Sequence, residues 1–446
     1  MALALKSKGK SSEIRNKLYH ATKEIVRVYV GLPELHFLDT CIDCGVCAAS
    51  CPWSASISEL LYGPHAKADY LRMMYRKTST VSGKILGPIV RAHIPDTEEE
   101  LERIYDAAYH CSNCGWCFYT CPHGVDSGAL VALLRGVLYR VGKVPRFLGA
   151  LAKLEKDILL EDKIPLEAST LWDERIAEIR ERHEALPLGE APNLILLTLY
   201  DVTVGWDSIN AYLTLLDAAG IKYSVPDKPL GVKPPMPFVV GDLEGARKVA
   251  EAVYSYAVKH KAKSIVILDG GYSYNDLRYL YTFYRAVKPK GLEITHVLKL
   301  LYETYDSLGL PPLVRWGRAA YIPSGHIDTR GGIGDGAKLV EATTEKYDKH
   351  LLWPYAGVGN VSLTSKTVIE ALGPMIGVTL NDLDEMEKRL IEHIRLVGKE
   401  LARQSVRTSP GYHIYSSMDD IIVLRETEEP GLRPMHIAEW LAKHLK

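Results

Sequence analysis

The chain has no cysteine after position 121: all eight lie at or before it, and the remaining 325 residues (446 − 121) carry none. No disulfide-stapled secreted protein crowds all its cysteines into one stretch of this kind. It also lacks an apolar run of the roughly 18 residues that a membrane-spanning helix needs. Net charge is nearly absent, with 54 Lys and Arg against 55 Asp and Glu. A nucleic-acid binder carries a basic excess, so no nucleic-acid partner is expected. The apolar start Met1–Leu5 is too short for a signal-peptide core and precedes its basic residues. The expected location is therefore the cytoplasm, with a membrane reached only through a partner. At 47% hydrophobic and 24% charged residues, the chain is neither disordered nor collagen-like, and its length suits about three domains.

The cysteines form two groups. The first reads Cys41-Ile-Asp-Cys44-Gly-Val-Cys47-Ala-Ala-Ser-Cys51-Pro52, and the second Cys111-Ser-Asn-Cys114-Gly-Trp-Cys117-Phe-Tyr-Thr-Cys121-Pro122. Both are C-x2-C-x2-C-x3-C-P, the spacing that holds a [4Fe-4S] cluster in bacterial ferredoxins. Three closely spaced thiolates wrap three corners of one cube, and the loop offers backbone N–H groups to the sulfurs. Gly45 and Gly115 relieve crowding at the turn. In two-cluster ferredoxins the fourth cysteine ligates the other cluster. The expected sets are Cys41, Cys44, Cys47 and Cys121 for one cluster, and Cys111, Cys114, Cys117 and Cys51 for the other. Zinc uses two separated C-x2-C knuckles in a closed tetrahedron, a poor match to four cysteines within eleven residues, twice. Two clusters ligated only by cysteine pass single electrons and leave no iron open to substrate. His110, Trp116, His123 and Asp126 stand near enough in sequence to tune their potential or to pack the loops.

The expected architecture is an α+β multidomain chain. Residues 1–35 carry seven Lys and Arg against three Glu; from Ile14, apolar positions at Leu18, Ala21, Ile25, Val28 and Tyr29 mark an amphipathic helix. That helix packs on its own domain or docks a partner or anionic lipid. Residues 36–150 form an α-helical, ferredoxin-like dicluster domain. Within it, Thr97–Glu100 opens a helix through Ala108 that delivers the chain to His110, and Ala129–Leu134 reads as a buried helix. Residues 151–190 read as a charged helical linker. Two α/β repeats on parallel sheets follow, 191–317 and 318–446. Their strands are expected at Leu194–Leu197, Ser264–Leu268 and Ala319–Ile322. Their helices are expected near 213–219, 242–260, 336–349 and 383–404.

The run from Cys111 to Asp126, followed by an apolar helix and Gly142-Lys143-Val144-Pro145, resembles the C subunit of heterodisulfide reductase. The C-terminal part looks like the B subunit, so the whole chain is similar to the fused D subunit. The iron–sulfur subunits of glycolate oxidase and anaerobic glycerol-3-phosphate dehydrogenase share this layout. The resemblance implies two cysteine-rich (CCG) repeats binding catalytic clusters. In this chain Pro229-Leu230-Gly231, Asp269–Tyr272, Ser324–Ile327 with Arg330, Tyr355-Ala356-Gly357 and Ser409–Tyr412 stand where those motifs would fall. The glycines and Pro410 remain, but every thiolate is gone. Tyr, Ser and Ala do not replace soft thiolate ligands, so no cluster is expected in the C-terminal half.

The resulting expectation is an electron-transfer iron–sulfur subunit of an oxidoreductase complex, with two [4Fe-4S] clusters and no catalytic residues of its own. It would relay electrons between a flavoprotein or dehydrogenase partner and a quinone, membrane cytochrome or disulfide-reducing partner. The alternative is a catalytic reductase subunit using a pocket in the degenerate CCG-like repeats near His326 and Tyr412. Gly331–Gly336 meets only a loose G-x-G-x-x-A nucleotide pattern and reads as a loop. His326, Asp328 and Arg330 read as a loop hydrogen-bond network.

Overall fold

A computed structural model describes residues 2–29, 33–268, 271–282, 286–307, 317–322, 334–348, 363–409 and 411–445. The cysteine-bearing part is all helical, and the cysteine-free part builds two small parallel sheets.

The centre of the helical part is Ser127–Arg140. Its residues from Ser127 to Leu138 are buried on every side, as a helix apolar all round must be. Asp126 caps its start, accepting from the Ala129 N–H at 3.1 Å. Helices Ala2–Val28, Pro33–Thr40, Pro64–Ser79 and Glu98–Tyr109 pack around it. The first of these begins at Ala2 rather than at Ile14. The residues before Ile14 show no apolar period, but Ala, Leu and Lys among them are strong helix formers. Leu18, Ala21 and Ile25 face inward, so its apolar stripe is spent on its own domain. Glu98–Tyr109 starts as expected, with Thr97 accepting from the Glu100 N–H and three glutamates in the first turn.

The segment read as a linker is two helices, Arg146–Glu161 and Leu166–Arg182. The first buries Leu148, Leu151, Leu154 and Ile158 against Met236–Val240 and Leu243–Lys259, and so belongs to the packing of the first sheet region. Apart from the buried Glu155, its charges lie at least partly in solvent and hide an apolar stripe.

The first sheet runs β1 Asn193–Leu196, β2 Tyr223–Ser224, β3 Ser264–Ile267 and β4 Glu293–His296, in the order β2-β1-β3-β4. The second runs β5 Arg318–Ile322, β6 Lys346–Tyr347, β7 Tyr412–Tyr415 and β8 Pro434–His436, in the order β6-β5-β7-β8. Both are wholly parallel, with Leu194 opposite Ile265 and Ala320 opposite His413. The two halves are thus one topology used twice. The repeat extends to detail: His296 Nδ1 accepts from the Leu298 N–H, and His436 Nδ1 from the Ala438 N–H, both at 3.3 Å. Helix Asp335–Thr343 stops short of the expected 349 because β6 begins at Lys346.

Gly241 couples the helical part to the first sheet region. Its φ is 89°, and a Cβ there would stand 2.2 Å from the Arg135 carbonyl oxygen, so only glycine lets the chain pass this close to Ser127–Arg140. Residues 323–333, with His326, Asp328, Arg330 and Gly331–Ile333, lie outside the described residues, as do 349–362 with Tyr355, 269–270 and Pro410.

Candidate metal centre

Both cysteine loops are built the same way. Cys41 follows helix Pro33–Thr40, and Cys111 follows Glu98–Tyr109 through His110. Asp43 and Gly45 hold φ near 60° and 75°, and Asn113 and Gly115 hold 55° and 84°. Two left-handed residues around Cys44 and around Cys114 curl each loop back on itself, and Asp and Asn tolerate that conformation best among side-chain-bearing residues. A short helical turn follows, Val46–Ser50 in one loop and Trp116–Thr120 in the other. Cys51 and Cys121 then leave in extended conformation, which proline at the next position enforces.

The two loops meet at equivalent positions: Ser50 Oγ and Thr120 Oγ1 are 2.7 Å apart. This contact sets the residues just before Cys51 and Cys121 side by side. Cys51, Cys111, Cys114 and Cys117 line one cavity together with Trp53, Lys67, Trp116 and Val131. Cys47 of the first loop has Cys41, Cys121 and Cys51 as neighbouring sulfurs. Burial pushes the Cys114 thiol up to about 12 and the Cys47 thiol up to about 11, with neighbouring sulfurs adding to the rise. Bare thiolates are therefore costly here, and a cationic metal core would relieve that cost. The donor chemistry, eight soft sulfurs on two neighbouring loops, fits iron–sulfur groups. Among the described residues no three His, Cys, Asp or Glu side chains converge as ligands of a single ion.

The two groups differ in exposure. Cys44 is exposed and Cys41 half-buried, whereas Cys51, Cys114 and Cys117 are buried. The buried group is bordered by two cations that sequence reasoning did not find. Lys67, 1% exposed, donates to the His110 carbonyl oxygen at 2.6 Å. Arg135, 3% exposed, donates to the carbonyl oxygens of Ala108, Val239 and Cys111. Neither has a carboxylate partner among the described residues. A buried cation without an anion is expensive, and two of them beside four cysteines match a net-negative group in the cavity. Spacing along the chain carried no signal for either, because the fold brings them from separate helices.

Of the four residues singled out near the motifs, Trp116 lines the cavity, Asp126 caps a helix and His123 is exposed. His110 is fully buried, and its Nδ1 lies 2.8 Å from the Asp106 carbonyl oxygen and 3.2 Å from its carboxylate. Nδ1 therefore carries the proton, and Nε2 accepts from His393 Nδ1 at 3.0 Å. Burial holds His110 below its ordinary value and, helped by His110 and Arg389, brings His393 down to about 4. Burial alone would raise the Asp106 carboxyl, but His110, Tyr62 and Arg389 outweigh it and the net direction is down. Through these contacts helix Glu385–Thr408 of the second sheet region is fastened to the start of the second cysteine loop.

Where the resemblance would place the first Cys-Cys-Gly, the chain holds a different chemistry. Glu155, fully buried, accepts from the N–H groups of Val232, Lys233 and Met236 at 3.0, 3.0 and 2.6 Å. Lys233 Nζ then reaches Asp419 at 2.6 Å, and Tyr200 donates to the same carboxylate at 3.0 Å. Lys233 and Asp419 are 4% and 1% exposed at their side chains, so this ion pair joins the two sheet regions out of solvent.

Residues 37–125 match the family described as "4Fe-4S dicluster domain". Over 112 residues the chain is 37% identical to the Hdr-like menaquinol oxidoreductase iron-sulfur subunit 2 of Archaeoglobus fulgidus, covering 25% of this chain and 20% of that one. It is 33% identical to the Hdr-like menaquinol oxidoreductase iron-sulfur subunit of Archaeoglobus profundus over the same length and shares. It is 32% identical over 113 residues to the D subunit of the dihydromethanophenazine:CoB–CoM heterodisulfide reductase of Methanosarcina mazei, 25% of this chain and 26% of that one. The chain thus spans a fifth to a quarter of the length of these curated relatives. No solved structure matches. The heterodisulfide reductase-like resemblance is found over this part of the chain, which is an iron–sulfur, electron-transport domain.

Proposed function

We propose that the chain is the electron-transfer subunit of a heterodisulfide reductase-like complex and holds two [4Fe-4S] clusters. Cys41, Cys44, Cys47 and Cys121 hold the outer one, and Cys111, Cys114, Cys117 and Cys51 the inner one. The carrying observation is the cavity that gathers Cys51 with the three cysteines of the other loop, beside Lys67 and Arg135. When bound, the clusters supply one-electron exchange at potentials set by charge, hydrogen bonds and exposure.

The protein's own groups do the rest. Trp53, Trp116 and Val131 exclude water from the inner centre, and the two buried cations hold the carbonyls of residues 110 and 111 in place. The graded burial of the cysteines gives one exposed and one shielded centre. Electrons pass between a flavoprotein or dehydrogenase partner and a quinone, cytochrome or disulfide-reducing partner, on the cytoplasmic side. The two sheet regions serve as scaffold and docking surface. Among the described residues no helix is long and apolar enough to cross a membrane.

The test is made on the complex isolated without air. Rapid mixing with its electron donor should reduce both clusters, and acceptor should reoxidise them, at rates no slower than turnover. Full turnover with either cluster fixed in one oxidation state contradicts the reading.

A further inference from the structure

The surface beside the outer cysteine loop carries a feature that electron relay does not use. Helix Val81–Leu86 and the 3-10 turn Gly87–Val90 present Val81, Ile85 and Ile89 at 73%, 76% and 82% exposure, with Leu86 at 45%. The first three are spaced four apart and form an apolar ridge. Monomeric surfaces rarely keep contiguous apolar patches without a use.

The ridge is held outward by its back. Gly83 is buried, and a Cβ there would stand 2.0 Å from the Arg76 carbonyl oxygen, so the short helix sits directly on Pro64–Ser79. Thr80 Oγ1 accepts from the Gly83 N–H at 3.0 Å, and the Ala92 N–H returns to the Gly87 carbonyl at 3.0 Å. Arg91 closes the base through Asp43, at 2.8 Å, and Asp69.

Charge on this segment has one sign. Between Asp69 and Asp96 there is no acid, whereas Arg72, Arg76, Lys77, Lys84 and Arg91 are present. Arg72 and Arg91 are ion-paired. Arg76, Lys77 and Lys84 have no carboxylate partner among the described residues, and Lys84 is exposed.

We propose that the ridge Val81–Val90 inserts into an anionic lipid surface, with Lys84, Lys77 and Arg76 on the phosphates. A narrow ridge needs no shaped recess in lipid, and nearby cations that no carboxylate neutralises among the described residues (Arg76 donates only to the Val90 carbonyl oxygen, at 3.4 Å) complement headgroup charge. The Arg91–Asp43 pair ties the ridge to the loop of Cys41–Cys47, whose Cys44 is exposed and whose Ile42 and Val46 are 64% and 50% exposed. Docking this way sets the outer centre beside the membrane. This contact is direct, and so goes beyond a membrane reached through a partner.

The experiment uses the holoprotein and vesicles of equal parts phosphatidylglycerol and phosphatidylcholine, with phosphatidylcholine alone as the comparison. The holoprotein should sediment with the anionic vesicles at low salt and be released at high salt. Lys84→Gln should weaken partitioning about fivefold. Ile85→Ser with Ile89→Ser should weaken it on the order of a hundredfold. Leu166→Ser, at another exposed leucine (82%), should change nothing. Emission of Ile85→Trp should be quenched by brominated acyl chains. The iron absorption spectrum is read in every variant, so loss of the clusters and loss of lipid binding are separate results. The proposal falls if the holoprotein ignores anionic vesicles, if the ridge variants bind as well as the wild type, or if Ile85→Trp is not quenched. It also falls if the ridge variants keep lipid binding but lose a copurifying subunit, which would make the ridge a protein interface.

Discussion

Replacing Lys67 with methionine keeps the length of the side chain and removes one buried positive charge from the wall of the inner cavity. At a separation of about 6 Å and an effective dielectric constant near 20, a unit charge acts with about 3 kcal/mol. For a one-electron couple each 1.4 kcal/mol is about 59 mV, so the shift is on the order of 100 mV. Its sign is fixed: without the cation an added electron is less favoured, and the potential falls. The outer centre has its own charges, Arg72, Arg91, Asp43 and Asp69, and should move by less than about a quarter as much. Lys67→Arg should restore most of the value. The His110 carbonyl loses its donor in Lys67→Met, so a stability loss of about 1–3 kcal/mol accompanies the change. The assay is an anaerobic redox titration followed by electron paramagnetic resonance, with melting curves as control. A folded Lys67→Met protein whose inner cluster keeps its potential, or whose two clusters shift equally, refutes the placement of Lys67 beside the cluster of Cys51.

Three further outcomes follow from named contacts. Cys51→Ala should lower iron from about eight to about four per chain and remove the signal of the Cys111–Cys117 cluster, while Cys121→Ala should remove the other; the reverse pattern means the fourth cysteines are not exchanged. Lys233→Met leaves Asp419 buried without its cation and should cost about 3–5 kcal/mol in urea unfolding, whereas adding Asp419→Leu should recover most of it; a double variant as weak as the single one contradicts a paired role. Burial pushes the Glu155 carboxyl up to about 8. A folded-state value above the unfolded one gives a contribution that is full at acid pH and lost as pH rises through about 8, by up to about 5 kcal/mol. Glu155→Gln, which cannot ionise, should flatten the denaturation midpoint between acid and alkaline pH, and an unchanged slope would assign the dependence to other groups.

Much of the cysteine domain was legible because its signals are local. The C-x2-C-x2-C-x3-C-P spacing, the glycines at 45 and 115, and the acids after Thr97 each act within a few residues. Asp43 and Asn113 were missed, although Asp and Asn at the same offset from Gly45 and Gly115 are the sequence trace of the left-handed turn. The strands β1, β3 and β5 were legible as buried apolar runs. The edge strands β2 and β6 span two residues each, and four-residue or shorter β4 and β8 mix polar with apolar positions, so no period could show. His296 and His436, each starting a helix after an edge strand, were a repeat marker in plain view. The segment 151–190 read as a linker because its exposed charges outnumber the leucines that pack it. Lys67, Arg135 and the Lys233–Asp419 pair were not legible, since each joins residues brought together only by tertiary packing; the last spans 186 positions.

The most direct measurement is iron, acid-labile sulfide and zinc per chain in holoprotein isolated without air. Two cubane clusters require about eight iron atoms and about eight sulfides, with zinc near zero. About two zinc ions per chain with no sulfide would contradict the account, and so would a sulfide count that only one cluster could supply.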